Sequence, residues 1–395
     1  MKNKNRWLLP EGVEELLPEQ AGQLEQLRRE LLDMYSSWGY ELIIPPFIDY
    51  LHSLLTGTGH DLDLQTFKLI DQLSGRLLGL RADMTPQAAR IDAHRLQREC
   101  PTRLCYLGTV LHTRPDGFAG SRSPMQVGAE LFGHAGPESD VEILQLMVKT
   151  LALTGVDDIY VDLGHVGIYR GLANDAQLDD EQEALLFDAL QRKAIPEIDE
   201  FLGQLDLSTA QRERLAALAT LSGDVKVLER AQSLFKGAGE QTRRALDNLV
   251  AIARLAVQRL PELSLHFDLA ELRGYRFHTG AVFAAFVADR GQEIARGGRY
   301  DDIGRVFGRA RPATGFSTDL RSLMQLGSRS WKIRGGAIVA PPDGNAALSE
   351  KVDSLRAAGE IVVQELPGQG GSFAEMGCDR RLRWNGSDWL IESIN

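Results

Sequence analysis

The chain has 395 residues, 43% hydrophobic and 25% charged, enough for one large domain or two to three smaller ones with a buried core. Its formal net charge is -11, and its 44 Lys and Arg are dispersed without a basic block, which disfavours nucleic-acid binding. No uncharged apolar run is long enough to span a bilayer, and Pro10, Glu11, Glu14 and Glu15 stand where a signal peptide needs an apolar core, so neither membrane insertion nor secretion is expected.

After Pro18, the residues Leu24, Leu27, Leu31, Met34 and Trp38 recur at helical spacing, and Gly39 stands where a C-terminal cap belongs, predicting an amphipathic helix. A short strand is expected over Tyr40 to Ile44, ended by Pro45 and Pro46, which lack backbone donors. Further strands are expected at Leu77 to Leu80, Arg103 to Thr113, Gln126 to Phe132 and Ile159 to Leu163. Between them, Val141, Leu144, Val148 and Leu151 mark a second amphipathic helix that ends at Gly155. From about Gln177 to Leu260 the pattern is helical throughout, rich in Leu, Ala, Glu and Arg, and reads as a helical insertion. Strand signals return at Leu263 to Phe267, Phe277 to Val287 and Ala313 to Thr318, around the glycine-rich stretch Gly291 to Gly298. A mostly antiparallel sheet with helices packed on it, an α+β fold, fits that order.

The last segment predicts a strand at Ala337 to Ala340, a helix near Ala346 to Ala358 and a strand at Ile361 to Val363, a small α/β unit. Arg381 to Trp384 and Trp389 to Ile391 then flank Asn385-Gly386, which has the chemistry of a tight hairpin turn. The expected organisation is a domain over 1-325, with the helical insertion at about 177-260, and a C-terminal unit over 331-395. Cys100, Cys105 and Cys378 make no even framework, and the first two have no second pair to complete a zinc site, so reduced thiols in a cytoplasmic protein are expected.

Several chemistries lack their motifs. There is no G-x-x-x-x-G-K-[ST] loop, no G-x-G-x-x-G fingerprint and no H-E-x-x-H pair. Nor is there an acidic loop leading into a Thr/Gly-rich cradle of the kind that holds phosphoribosyl pyrophosphate, since Asp157-Asp158 runs into a strand. The eight histidines are scattered, none at ligand spacing from another. Neither a metal nor a cofactor is called for.

Three segments, in order, carry a resemblance. They are Leu80-Arg81-Ala82-Asp83-Met84-Thr85-Pro86, the stretch from Val110 to Gly133, and Arg273-Gly274-Tyr275-Arg276-Phe277-His278 followed by Gly297-Gly298-Arg299-Tyr300-Asp301. They resemble, across nearly the whole chain before the last unit, the histidyl-tRNA synthetase family, including its ATP phosphoribosyltransferase regulatory-subunit branch. The first is similar to a Leu-Arg-Pro-Glu-Gly-Thr run whose acid and threonine hold the amino group of histidine. The third is similar to Arg-Gly-Leu-Asp-Tyr-Tyr, and the glycine-glycine motif is an identical match. The resemblance implies a class II synthetase-like domain with a histidine site: Asp83, Thr85 and Gln126 on the amino group, Glu130 on the imidazole, Arg273 on the carboxylate, with Tyr275 and His278 beside them.

The residues support a pocket independently. Gln126 and Glu130 are four apart on a predicted strand, so period two puts both on one face. A carboxylate there can hold an imidazole N–H, and an opposed Arg273 can pair with an amino-acid carboxylate. The alternative is a Glu130–Arg273 salt bridge with no ligand.

Departures from the synthetase pattern point away from catalysis. Activation of an amino acid needs fixed cations on ATP, yet His112 stands where the first arginine belongs and Arg114 where a glutamate belongs. In the last motif, against Gly-Phe-x-x-Gly-x-Glu-Arg, the chain has Gly315-Phe316-Ser317-Thr318-Asp319-Leu320-Arg321-Ser322. Asp319 replaces glycine, Arg321 glutamate and Ser322 arginine, unless a one-residue slip makes Arg321 the clamp. The C-terminal unit resembles only the opening of an anticodon-binding domain, so tRNA is not an expected partner.

The resemblance thus implies a non-catalytic regulatory subunit partnering a short-form catalytic ATP phosphoribosyltransferase subunit, with free histidine as effector and a homodimer core inside a hetero-oligomer. Open alternatives are an active histidyl-tRNA synthetase with a truncated anticodon-binding domain, and a ligase for another small acid.

Overall fold

The computed structural model describes all residues except 1–6, 57–59, 116–119, 276, 289–290, 330–335, 343–345 and 395. Arg276 of the third motif and residues 116–119 of the loop at Pro115 to Ser123 therefore lie outside the described residues. The chain divides into Met1–Arg329 and Ser330–Asn395.

Helix α1 (Pro18–Ser37) starts on a proline, whose missing N–H has no partner in a first turn anyway. Leu24, Leu27 and Leu31 are buried as their spacing predicts. Met34 and Trp38 are only half-buried, because Tyr35 takes the core position, its hydroxyl 2.9 Å from Thr150 Oγ1. Gly39, at φ +80°, ends the helix. The strand expected over 40–44 shortens to β1 (Glu41–Leu42). A small antiparallel sheet follows, β2 (Ile48–Tyr50), β3 (Lys68–Ile70) and β4 (Leu77–Leu80) in the order β2-β4-β3, with α2 (Leu51–Leu55) and α3 (His60–Gln65) between its first two strands. Thr85 and Pro86 then open α4 (Thr85–Arg90).

The strand expected over 103–113 ends early, as β5 (Thr102–Thr109). Beyond it the N–H groups of Val110, Leu111 and His112 donate to the carbonyls of Pro124, Arg81 and Arg122, so the chain stays extended outside the ladder. β6 (Met125–Phe132) returns antiparallel to it, then α5 (Pro137–Leu153), β7 (Ile159–His165) and α6 (Val166–Asp175).

The insertion comprises α7 (Asp180–Gln191), α8 (Ile195–Gln204), α9 (Thr209–Ala217), β8 (Ser222–Gly223), α10 (Lys226–Leu234) and α11 (Glu240–Arg259). Asp179 and Ser208 form capping boxes with Gln182 and Gln211, satisfying N–H groups that a first turn leaves open. Sequence pattern predicts helix throughout, but β8 pairs with the next strand of the main sheet, a two-residue pairing too short to leave a period. β9 (Ser264–Asp268), β10 (Ala281–Val287), β11 (Ala295–Arg299) and β12 (Ala313–Asp319) complete the sheet before α12 (Leu320–Leu326). The strand expected from Phe277 starts at Ala281, and the glycine-rich stretch supplies β11.

Among the described residues the main sheet has nine strands, ordered β1-β5-β6-β12-β11-β10-β7-β9-β8. Only β1 with β5 and β7 with β9 run parallel, so this is the class II synthetase-like sheet, flanked by helices, that the motif order implies. Helix α5 packs on β12 and β6, and α11 on α5 and α6.

The second unit orders its strands β14-β13-β15-β16, from β13 (Ala337–Ala340), β14 (Val362–Gln364), β15 (Cys378–Trp384) and β16 (Trp389–Ser393), with α13 (Ala346–Ala357). Ile338, Leu348, Val352, Leu382 and Trp389 form its core. The connection from β15 to β16 spans four residues, not the two of a tight turn, because Trp384 pairs with Trp389. Asn385 Oδ1 accepts from the N–H groups of Ser387 and Asp388, and Gly386 takes φ +103°.

Candidate functional site

The middle of the main sheet is short of side chains where β6, β12 and β11 run together. Gly315 pairs with Glu130 across β12 and β6 and with Gly298 across β11. A methyl at Gly315 would sit 1.5 Å from Glu130 Oε2, and one at Gly297 2.3 Å from the Gly315 carbonyl oxygen. The missing side chains let the Glu130 carboxylate lie along the sheet and leave a cavity of about 1070 Å³ above it. That is at the upper end of small-molecule pockets, which run to about 1,000 Å³.

Glu130, 1% exposed, accepts from the Tyr106 hydroxyl at 2.8 Å and from the Tyr300 hydroxyl. Tyr106 is also 3.0 Å from Thr85 Oγ1. Burial pushes the Glu130 carboxyl up to about 8, although both tyrosines oppose the shift. Asp83 Oδ1 accepts from the N–H of Thr85 at 3.0 Å and from Gln126 Nε2 at 2.7 Å.

Of the seven residues singled out in the sequence, Asp83, Thr85, Glu130, Arg273, Tyr275 and His278 line this cavity. Gln126 stands behind it: its Oε1 accepts from Met84 N at 2.9 Å while its amide holds Asp83, so it fixes the first motif. The period-two argument put it on the right face, but cannot see that Asp83 lies between it and the cavity.

Nor does Arg273 meet Glu130. Its guanidinium pairs with Glu271 at 3.0 Å and with Glu293, over the Phe286 ring at 5.2 Å. The Glu130–Arg273 salt bridge is thus replaced on both sides, by two tyrosines at one end and two glutamates at the other. Tyr275 turns to the insertion, its hydroxyl donating to Glu183 of α7 and its ring meeting Tyr169 and Phe187, with Arg170 over its face at 4.7 Å. His278 is half-buried with Nδ1 3.3 Å from the Arg299 carbonyl oxygen. Burial lowers its pKa to about 4, so it is a neutral imidazole at pH 7. Phe277 stacks on Tyr300 at 5.0 Å.

Sequence reasoning missed four residues. Tyr300 belongs to the identical glycine-glycine motif, so a signal for it existed. Tyr106 sits two residues from the position facing Glu130, which only the register reveals. Glu271 and Glu293 carry no pattern. Behind the cavity, Arg299 is 5% exposed. It pairs with buried Asp140 at 2.9 Å and donates to the His134 and Gly136 carbonyls, Ser139 and Asp301.

The positions that differ from the synthetase pattern are engaged elsewhere. His112 Nε2 lies 2.9 Å from the Ala82 carbonyl oxygen, and Arg114 is exposed. Asp319 is the N-cap of α12: Oδ1 accepts from Arg321 N and Met125 N, Oδ2 from Ser322 N and Oγ. Arg321 reaches Ser123 at 3.3 Å and the Glu14 carbonyl at 3.4 Å. With those partners, Arg321 is not among the residues that line the cavity. Among the described residues, six acidic side chains line it, Asp83, Asp180, Glu183, Glu271, Glu293 and the protonated Glu130, against Arg273 and Arg296. That balance suits a ligand bearing positive charge better than a triphosphate.

Residues 12–323 match the model of the histidyl-tRNA synthetase family, and residues 335–392 that of the ATP phosphoribosyltransferase subunit HisZ C-terminal domain. The chain is 63% identical to the ATP phosphoribosyltransferase regulatory subunit of Thioalkalivibrio sulfidiphilus, with 100% of both chains covered. It is 58% identical to that of Alkalilimnicola ehrlichii, covering 99% of this chain and 98% of the relative. A Bacillus halodurans structure described as an ATP phosphoribosyltransferase regulatory subunit/histidyl-tRNA synthetase superposes with a TM-score of 0.82 at 27% identity, covering 95% of this chain and 97% of that one. A histidyl-tRNA synthetase from a Nostoc species shares the fold at TM-score 0.76 and 17% identity, covering 99% and 97%.

Proposed function

The chain belongs to the family of ATP phosphoribosyltransferase regulatory subunits, and from that premise we propose that it activates a short catalytic subunit and senses free histidine for it. The catalytic subunit supplies the ATP and phosphoribosyl sites. This chain supplies an assembly scaffold and a feedback site, with Asp83 and Thr85 toward the amino group, Glu130 toward the imidazole and Arg273 toward the carboxylate. Tyr275 and His278 wall the site, and Gln126 holds Asp83. A coupling of about 1–3 kcal/mol between histidine and the transferase site is enough for 5- to 150-fold inhibition.

The observation that carries this reading is a division within one domain. The amino-acid half of the cavity keeps its polar groups, whereas Asp319 and Arg321 are committed to the start of α12 and to the N-terminal segment. The isolated chain should therefore give neither ATP–pyrophosphate exchange with histidine nor charging of tRNA, because no cation among the described residues of the last motif faces the cavity. Radiolabelled pyrophosphate incorporation at a synthetase's rate would overturn the regulatory reading. Reconstitution with a short catalytic subunit should switch on phosphoribosyl transfer that histidine inhibits.

The scaffold role makes a second expectation. Exposed large apolar residues concentrate on β1 and the β2-β4-β3 sheet, among them Leu42, Ile48, Leu69, Ile70 and Leu77, with Ile44 and Phe47 between. Exposed apolar surface of that extent marks an interface, and α1 with β1 resembles the family's dimer-forming first motif. The isolated chain should be a homodimer. Static light scattering that returns the 43.6 kDa monomer mass at micromolar concentration would rule this out.

A further inference from the structure

If histidine binds in this cavity, its carboxylate has to compete for Arg273. Glu271 and Glu293 already hold that guanidinium, and they are not equivalent. Glu271 lies two residues away on the same loop, also accepts from Arg273 N at 2.9 Å, and has a side chain 9% exposed. It orients the guanidinium locally. Glu293 comes from the other side, just before β11, with a side chain 20% exposed. Its second oxygen is already 3.0 Å from Arg296, so it can leave Arg273 without losing its charge partner.

We propose that Glu293 is a built-in occupant of the carboxylate subsite, held on Arg273 when the cavity is empty and released to Arg296 when an α-amino acid's carboxylate takes its place. The inference rests on the histidine-sensing reading and adds its regulation. Ile294, the next residue, is tied to the sheet through Ala285 and Thr318, and β11 leads directly to Tyr300, which holds Glu130. One short strand thus joins the carboxylate subsite to the imidazole subsite. Release of Glu293 gives its carboxylate two discrete sets of pairings, one for each state of the site.

The competition also tunes affinity. An internal carboxylate that engages Arg273 nine-tenths of the time raises the apparent dissociation constant about tenfold. Glu293→Gln removes the competing charge, and Glu293→Ala the side chain as well. Calorimetric titration of the full chain should show histidine binding about tenfold tighter in both variants. The amino alcohol of histidine, with no carboxylate to place on Arg273, should bind unaltered and variant chains alike. Equal or weaker histidine binding in the variants would overturn the proposal, as would a matching gain for the amino alcohol. If the unaltered chain binds no histidine, the sensing reading fails and this inference with it. Binding that is present but unchanged by both substitutions refutes the inference alone.

Discussion

Replacing Glu130 with alanine is expected to weaken histidine binding by about 10- to 150-fold, the equivalent of roughly 1.5–3 kcal/mol for a buried donor left without its partner. The two tyrosine hydroxyls on the protonated carboxyl do not remove it from service, since its carbonyl oxygen keeps a second lone pair for an imidazole N–H and its O–H can donate to a ring nitrogen. The variant should still assemble with the catalytic subunit and support transfer, because Glu130 is buried and offers no surface for docking, while its histidine inhibition curve moves to higher concentration. Paired titrations decide the matter: calorimetric binding to this chain alone and inhibition of the assembled enzyme. If neither moves, the cavity is not the regulatory site.

The same residue gives stability a pH dependence. Folded, Glu130 keeps its proton up to about pH 8, against an ordinary value of 4.5. The folded chain therefore binds more protons than the unfolded one between these values. Stability from this group is complete below pH 4.5 and is lost as pH rises through 8, on the order of 3–5 kcal/mol in all. Glu130→Gln, uncharged throughout and still able to accept from a tyrosine, should flatten that decline. Urea midpoints of the two chains at pH 5 and pH 8 measure it, and parallel declines would show that burial does not hold the proton there.

Arg299→Met is expected to cost about 3–5 kcal/mol of folding stability, since it strands a buried carboxylate without its cation. Asp140 is 1% exposed, and burial already pushes its pKa upward against the pull of Arg299. The methionine fills the volume of the stem but leaves the His134 and Gly136 carbonyls and Ser139 without this donor. Arg299→Met with Asp140→Leu should recover much of the loss, because an apolar pair of similar volume can replace a buried ion pair. Urea unfolding of the single and double variants provides the measurement. A single-variant loss below about 1 kcal/mol would show that Asp140 can stay protonated at little expense.

Much of the fold was legible because its long helices are amphipathic. The stripe of Leu24, Leu27 and Leu31 gives α1, and that of Val141, Leu144 and Leu151 gives α5. Reading failed where a third party intervenes. Tyr35 displaces Met34 through a bond to Thr150, 115 residues away, and β8 exists only because β9 is beside it. The site divides the same way. Motif resemblance brought Asp83, Thr85, Glu130, Arg273, Tyr275 and His278 to one cavity, but what each residue touches depends on strand register. Register sets Tyr106 near Glu130, and the return of the chain to β11 brings Glu293 to Arg273, and no local pattern encodes either.

Asp319 and Arg321 have a consequence for the history such a chain can have. Both occupy positions where the synthetase pattern has other residues, and both carry bonds the fold now uses: the start of α12, the first N–H of β6, the tether to Glu14. A substitution toward the synthetase pattern at either position would undo a piece of folding before any phosphate contact was gained. Changes of this kind act as a ratchet. Restoring the synthetase residues one at a time would pass through chains that have lost these bonds, because neighbouring parts of the molecule lean on the residues now present.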